Sequence, residues 1–353
     1  MVTRFRWLAA FLSLTFVMAA HATAQEPNRD AESIAARIQA LNNELNALNE
    51  ELESLERRQE ANRRQAFFER ADMQSAPQAE VIAVTEINER RELEQASNLN
   101  PFSITAHRTN YLLPLSYNTN PNRANFRAID TDTPPDKAEL KFQFSTKVGI
   151  ANGLFLGHGD LYFGYTQRSW WQAYNTDASS PFRETNYEPE LFIDFDNAWN
   201  IFGWVNARNR IALNHQSNGR SDPLSRSWNR VYIESIFQRD DWAIMLSPHW
   251  RIPETESKDD NPNIHHFMGN GDIRIAKRLN QDHEVTALLR GNPNHGNYGT
   301  QIDYSWPTFN NLRAHLQYYY GYGESLIDYD HRVHRLSIGF SLNPLFTPSG
   351  LNR

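Results

Sequence analysis

The chain has 353 residues, a formal net charge of −7 and no cysteine. That length allows about two domains, the acidic balance offers no basic surface of the kind that neutralises nucleic-acid phosphates, and no disulfide can support the fold. Beyond the first 24 residues there is no run of about eighteen apolar residues, which excludes a helical membrane protein but not a β-barrel, whose inward residues are polar and whose strands give a weak signal.

Residues 1–24 read as a signal peptide, with Arg4 and Arg6, an apolar run from Trp7 to Ala20, and Ala22-Thr23-Ala24 as the cleavage site. An uncleaved anchor is the alternative, and the run is short for a span. Residues 25–70 are predicted to be an α-helical coiled-coil extension. Ile34, Ile38, Leu41, Leu45, Leu48, Leu52 and Leu55 recur at spacings alternating between four and three, an a/d seam flanked by Arg37, Glu44, Glu51 and Arg58 at g positions. About three heptads is short for a coiled coil, so the helix would associate where its local concentration is already high. A solitary amphipathic helix packed on another surface fits the same pattern. Residues 71–99 are polar and mixed, and read as a linker.

From residue 100 to 346 the period falls to two, the period of a strand. Leu161, Phe163 and Tyr165 share a phase with Gln167, placing a polar amide on an apolar face, where an unpaired group is costly. Either Gln167 lies near an interfacial zone and meets water, or two copies meet across a subunit interface.

The next informative stretch ends at Ser217. Upstream in steps of two stand His215, Leu213, Ile211, Asn209, Ala207 and Val205, mostly apolar, while Gln216, Asn214, Ala212, Arg210, Arg208 and Asn206 form a polar, cationic row. After a turn rich in Asn, Gly, Ser, Asp and Pro, Ser225, Ser227, Asn229, Val231 and Ile233 alternate with Arg226, Trp228, Arg230, Tyr232 and Glu234. A hairpin centred near Asp222 would set Asn229 opposite His215, on the apolar face that also carries Ser217. Such a set can perform nucleophilic acyl transfer, with Asn229 fixing the imidazole tautomer but lacking the negative charge of an aspartate. Spacing alone favours the plainer reading, turn residues beside an interfacial histidine, because His-x-Ser is a weak pattern by itself.

Further strands follow. Leu312, Ala314, Leu316, Tyr318 and Tyr320 alternate with Arg313, His315, Gln317 and Tyr319, and Leu336, Ile338, Phe340 and Leu342 alternate with Arg335, Ser337, Gly339 and Ser341. At roughly 20 residues per strand and loop, the segment holds about twelve strands. Nine Trp, 14 Tyr and 20 Phe suit aromatic girdles, although a soluble β-sandwich would use many of them too. Against the sandwich stand Arg208 and Arg210, which need a wet or paired interior.

Four blocks, Thr166-Gln167-Arg168-Ser169-Trp170-Trp171-Gln172, Ser179 through Pro189, Asp259-Asp260-Asn261-Pro262, and Gly321 through Tyr329, together with the His215, Ser217 and Asn229 set, resemble the outer-membrane phospholipase A family. The resemblance runs from about Asn100 to Phe346. It implies an all-β fold, a twelve-stranded antiparallel transmembrane β-barrel in the bacterial outer membrane. It also implies calcium-dependent hydrolysis of phospholipid acyl esters, with A1, A2 and lysophospholipase activity, by a homodimer. Carried over by residue, it makes Ser217 the nucleophile, His215 the general base, Asn229 the third member and the Gly219 N–H an oxyanion donor. A Ca2+ site would use the Arg220 carbonyl, the Ser225 hydroxyl, the Asp260 carboxylate and, from a second subunit, the Ser179 hydroxyl, all oxygen donors suited to a hard cation. Asp222 is a further acid in that loop. Gln167 would sit in the dimer contact.

Two departures from the family stand out. The coiled-coil extension would hang into the periplasm and could hold dimers together permanently. The chain also continues from Thr347 to Arg353, where such barrels commonly finish on an aromatic residue. A competing class is a passive channel, or a periplasmic tether in which the coiled coil is the functional part.

Overall fold

The computed structural model describes residues 36–49 and 105–342, apart from 131, 258, 280–282 and 309–311. The predicted signal peptide, the linker, the tail and most of the predicted coiled-coil segment lie outside the described residues. Residues 36–49 are helical, and Ile38, Leu41, Leu45 and Leu48 of the predicted seam are all exposed.

The rest is a closed barrel. Its spanning strands are β2 (Tyr111–Asn118), β3 (Ala138–Ala151), β4 (Asp160–Trp171), β5 (Phe182–Ile201), β6 (Trp204–Ser217), β7 (Ser227–Arg239), β8 (Trp242–Ile252), β9 (Gly271–Arg278), β10 (Glu284–Asn292), β11 (Asn297–Pro307), β12 (Arg313–Gly321) and β13 (Val333–Ser341). Each pairs antiparallel with its sequence neighbours and β13 closes on β2, so among the described residues these twelve strands form a closed ring of ladders. A two-residue strand, β1 (Thr105–Ala106), adds a short ladder to β3. The twelve spanning strands match the number expected from sequence.

Alternation of side chains decides which face meets lipid. In β13, Leu336, Ile338 and Phe340 are exposed, whereas Arg335, Ser337 and Ser341 are buried inside. Strand β12 divides in the same way, as its sequence predicts. Where β13 meets β2 the register slips beside Gly339. A Cβ at Gly339 would stand 2.2 Å from the Leu112 carbonyl oxygen, so only glycine allows the two backbones to approach this closely.

One expectation fails. The outward row through Asn209, Ala207 and Val205 breaks, because the β6–β7 register slips between Asn206 and Arg208. Ala207 and Val205 are each 6% exposed, against 50% and 54% for Ile211 and Leu213. A bulge sets two residues opposite one and so reverses the phase of everything before it.

Ion pairs fill the interior. Arg210 makes a bidentate contact with Asp194, at 2.6 and 2.8 Å, and Arg208 approaches the same carboxylate at 3.6 Å. The longer connections, 119–137, 172–181, 218–226, 253–270 and 322–332, gather at one end, the pattern that marks the outer side of such barrels. Loop 322–332 is held against the lumen. Glu324 accepts from Lys141 Nζ at 2.8 Å and from Arg335 Nε at 3.0 Å, while Asp328 pairs with Arg183. Burial pushes the Glu324 carboxyl up, but Arg335 and Lys141 outweigh it and hold it at about 2.

Candidate active site

The β6–β7 hairpin has the register its turn predicts. His215 pairs with Asn229, and Ser217 pairs with Ser227 on one side and Tyr187 on the other. His215, Ser217 and Asn229 therefore share the outward row, continuous with lipid-exposed Ile211 and Leu213. His215 Nδ1 lies 2.8 Å from Asn229 Oδ1. Because an amide oxygen only accepts, this contact requires the proton on Nδ1 and leaves Nε2 bare as a base. Among the described residues no hydrogen bond links Ser217 to His215. Catalytic bonds of this kind are often loose until substrate binds.

The inward side of the same hairpin is rigid. Gln216 faces Trp228, whose Nε1 donates to Gln216 Oε1 at 2.9 Å. Trp228 is fully buried against Ile264 and Met268 of a short helix (Ile264–Met268) and Leu326 and Tyr329 of loop 322–332. The outward His215, Ser217 and Asn229 thus rest on a packed cluster rather than on a mobile loop, which fixes their geometry.

The connecting loop depends on Asn218, for which turn composition carries no distinguishing signal. Asn218 Nδ2 donates to the Leu224 carbonyl at 2.8 Å, and its Oδ1 accepts from the N–H of Arg226 at 3.0 Å and of Arg220 at 3.3 Å. The Arg220 guanidinium in turn donates to the carbonyls of Phe182 and Arg183, tying the loop to β5. Between them Gly219 takes φ +64°, the left-handed region, and a Cβ there would meet Tyr187 Cε2 at 3.1 Å. Among the described residues, no partner is found for the Gly219 N–H.

The residues expected to hold calcium separate into two groups. Ser225 Oγ donates to Asp260 Oδ2 at 2.5 Å. The Asp259–Pro262 block is brought to the hairpin by Asn261, whose Oδ1 accepts from the Ser227 N–H at 2.9 Å. Arg220 lies in the same hairpin loop. Ser179 is exposed in a different connection, 172–181, with φ +57°. Asp222 is exposed in the hairpin loop. Among the described residues no three Asp, Glu or His side chains converge as a metal cluster. The Ser225 hydroxyl and Asp260 carboxylate nevertheless meet as oxygen donors of low charge, and with a carbonyl of the same loop they would suit a hard cation that keeps several waters.

Gln167 does face outward, but its amide is not unpaired. Its Oε1 accepts from Tyr165 Oη at 3.1 Å and its Nε2 donates to Ser169 Oγ at 3.3 Å, and Ser169 bonds Thr185 in turn. This short polar ladder removes much of the burial cost that the sequence suggested.

A further polar residue touches Asn229. Glu254 follows Trp250 and Ile252 on the outward row of β8, and its Oε1 accepts from Asn229 Nδ2 at 2.8 Å. The parity of β8 was a usable signal for it, though the strand ends two residues earlier.

Comparison with known proteins gives concordant results. A family model described as phospholipase A1 matches residues 87–342. The chain is 39% identical to the phospholipase A1 of Proteus vulgaris over 247 residues, which is 70% of this chain and 84% of that protein. Among solved structures, the outer membrane phospholipase A of Escherichia coli superposes with a TM-score of 0.66 at 37% identity, covering 69% of this chain and all of that one. The Salmonella typhi outer membrane phospholipase, solved as a dimer with bound calcium, gives 0.67 at 37% identity, covering 71% of this chain and 97% of that one. An Asn-to-Ala active-site mutant of the E. coli protein gives 0.66 at 36% identity, covering 71% of this chain and 97% of that one.

Proposed function

The chain belongs to the phospholipase A1 family of outer-membrane β-barrel enzymes, and from that premise we propose that Ser217, His215 and Asn229 hydrolyse phospholipid acyl esters at the outer boundary of the membrane. The observation that carries this reading is the 2.8 Å bond between His215 Nδ1 and Asn229 Oδ1 on the outward row that also bears Ser217. The active-site asparagine named for the E. coli relative supports it.

In the proposed sequence, His215 Nε2 takes the Ser217 hydroxyl proton as Oγ attacks the ester carbonyl. Asn229 Oδ1 keeps Nδ1–H in place, and the Gly219 N–H receives the developing oxyanion. His215 then returns the proton to the departing lysophospholipid alcohol. Water entering from the loops is deprotonated by His215 and attacks the acyl-enzyme, releasing the fatty acid and restoring Ser217. The outward placement suits the substrate, because an acyl chain can stay in hydrocarbon while its ester meets Ser217 near the headgroups.

Calcium would be held by the Arg220 carbonyl, Ser225 and Asp260, with Ser179 from a second subunit. When bound it supplies positive charge beside the developing oxyanion. The calcium-bound dimer of the S. typhi relative supports that assignment and the homodimer, in which Gln167 exchanges its intrachain partners for its copy. We assign A1, A2 and lysophospholipase activity to the same site. The proposed organisation is a signal peptide (1–24), a periplasmic coiled coil (25–70), a linker (71–99), the barrel (100–346) and a tail (347–353).

Against an open channel stands the 322–332 loop, which the Lys141–Glu324 and Arg335–Glu324 pairs hold against the lumen. The test is phospholipid hydrolysis by the refolded full chain in detergent, with calcium and with a chelator, beside Ser217→Ala. Calcium-dependent activity lost in the variant is the expected result. An inactive wild type whose heat-modifiable gel migration shows a folded barrel would overturn the reading.

A further inference from the structure

We infer that Glu254 is a positioning residue of the active site, which orients the Asn229 amide and sets a negative charge behind it; the inference rests on the triad reading above.

An asparagine is an ambiguous partner for a histidine. Its amide can present either an oxygen, which demands a proton on Nδ1, or an NH2 group, which demands that Nδ1 be bare and the proton lie on Nε2. Only the first leaves Nε2 free to take the Ser217 proton. Nothing in the His215–Asn229 pair alone selects between the two. Glu254 does select, because an ionised carboxylate can only accept. With Glu254 Oε1 at 2.8 Å from Asn229 Nδ2, the amide must turn its nitrogen toward Glu254 and its oxygen toward His215. The chain Glu254–Asn229–His215 therefore writes the tautomer of the base.

The carboxylate is placed for this and for little else. Its side chain is 17% exposed, and among the described residues its second oxygen is buried without a hydrogen-bond partner. Buried polar atoms left in that state call for an explanation. The charges that face it are Arg251, whose Nη2 stands 3.9 Å from Oε2 on β8, and His215 beyond Asn229 on β6. The Arg251 guanidinium is itself engaged by Asp259 at 2.5 Å, in the 253–270 loop. Glu254 thus retains a share of negative charge that becomes useful when His215 turns into imidazolium, the charge that an asparagine by itself cannot supply.

The test compares Glu254→Gln and Glu254→Ala in the full-length protein, with folding followed by heat-modifiable migration and with Ser217→Ala as the control for the site itself. Loss of an orienting partner is expected to lower kcat by about 10- to 100-fold for Ala, with KM little changed. Gln keeps an acceptor but not the charge, and should fall between. Two backgrounds show whether the effect runs through Asn229. In Asn229→Ala, the further change Glu254→Ala should cost nothing more, because its partner has gone. In Asn229→Asp, two carboxylates would face one another, so Glu254→Gln should raise activity rather than lower it. A folded Glu254→Ala with wild-type kcat, or a loss that adds in full to that of Asn229→Ala, overturns the inference. Activity surviving in Ser217→Ala would instead overturn the triad reading on which it stands.

Discussion

Gly219→Ala separates the stability of the 218–226 loop from the chemistry proposed for it. Alanine would have to adopt φ +64° at this position, and its Cβ would meet the Tyr187 ring at 3.1 Å. The left-handed conformation costs an L-residue roughly 1–2 kcal/mol. Tyr187 is partly exposed on the lipid side and can give by a few tenths of an ångström, so sterics add little. The barrel, closed by twelve ladders, should fold and show heat-modifiable migration with only a small drop in urea midpoint. Activity should fall much further, because the turn that aims the Gly219 N–H would be re-formed. Loss of one oxyanion donor typically costs about 10²–10³ in kcat, or some 3–4 kcal/mol. The assay is kcat on phospholipid in mixed micelles at saturating calcium, alongside the urea transition. Gly219→Ala with Tyr187→Ala tests the division of causes: if backbone conformation is responsible, removing the ring restores little. A folded Gly219→Ala with kcat within about twofold of wild type would refute the oxyanion assignment, since no donor worth about 10²-fold could have been displaced.

Asp260→Asn keeps the Ser225 contact and removes the one acidic group of the proposed calcium site, so it should raise the calcium needed for half-maximal activity by at least about tenfold while leaving the fold intact; a calcium titration of hydrolysis checks this, and an unchanged midpoint would remove Asp260 from the site. Gln167→Leu should leave the monomer as stable as wild type or slightly more so, and weaken dimerisation on adding calcium and substrate analogue, read by cross-linking in detergent. For acid stability, the Glu324 carboxyl is held at about 2, below its ordinary value of 4.5. A depressed carboxyl stabilises the folded state above its unfolded value, and that contribution is lost as pH falls from about 4.5 toward 2; the difference corresponds to about 3 kcal/mol. Urea midpoints measured between pH 7 and 2.5 should fall steeply over that window in the wild type and less so in Glu324→Gln. An equal slope in both would show that the Lys141 and Arg335 contacts do not stabilise the charge.

How much of the fold is legible in the sequence follows from how local each signal is. Period-two alternation depends on strand geometry alone, so it placed His215, Ser217 and Asn229 on one face, and the turn centre near Asp222 set Asn229 opposite His215, as the ladder shows. The outward faces of β12 and β13 were legible for the same reason. The bulge at Asn206/Arg208 was not, because a single extra residue leaves no periodic trace and still reverses the faces of Ala207 and Val205.

The sequence by itself determined the barrel, its polarity and the face shared by His215, Ser217 and Asn229, because these rest on side-chain periodicity and turn chemistry within a few residues of each other. Only the tertiary structure decided what surrounds that face. Asn261 reaches the Ser227 N–H across 34 residues, Glu254 reaches Asn229 across 25, and Ile327 of the 322–332 loop donates its N–H to Glu184 across 143. Such contacts depend on the path of irregular loops over a closed barrel, which the packing of the whole molecule selects and no local pattern encodes.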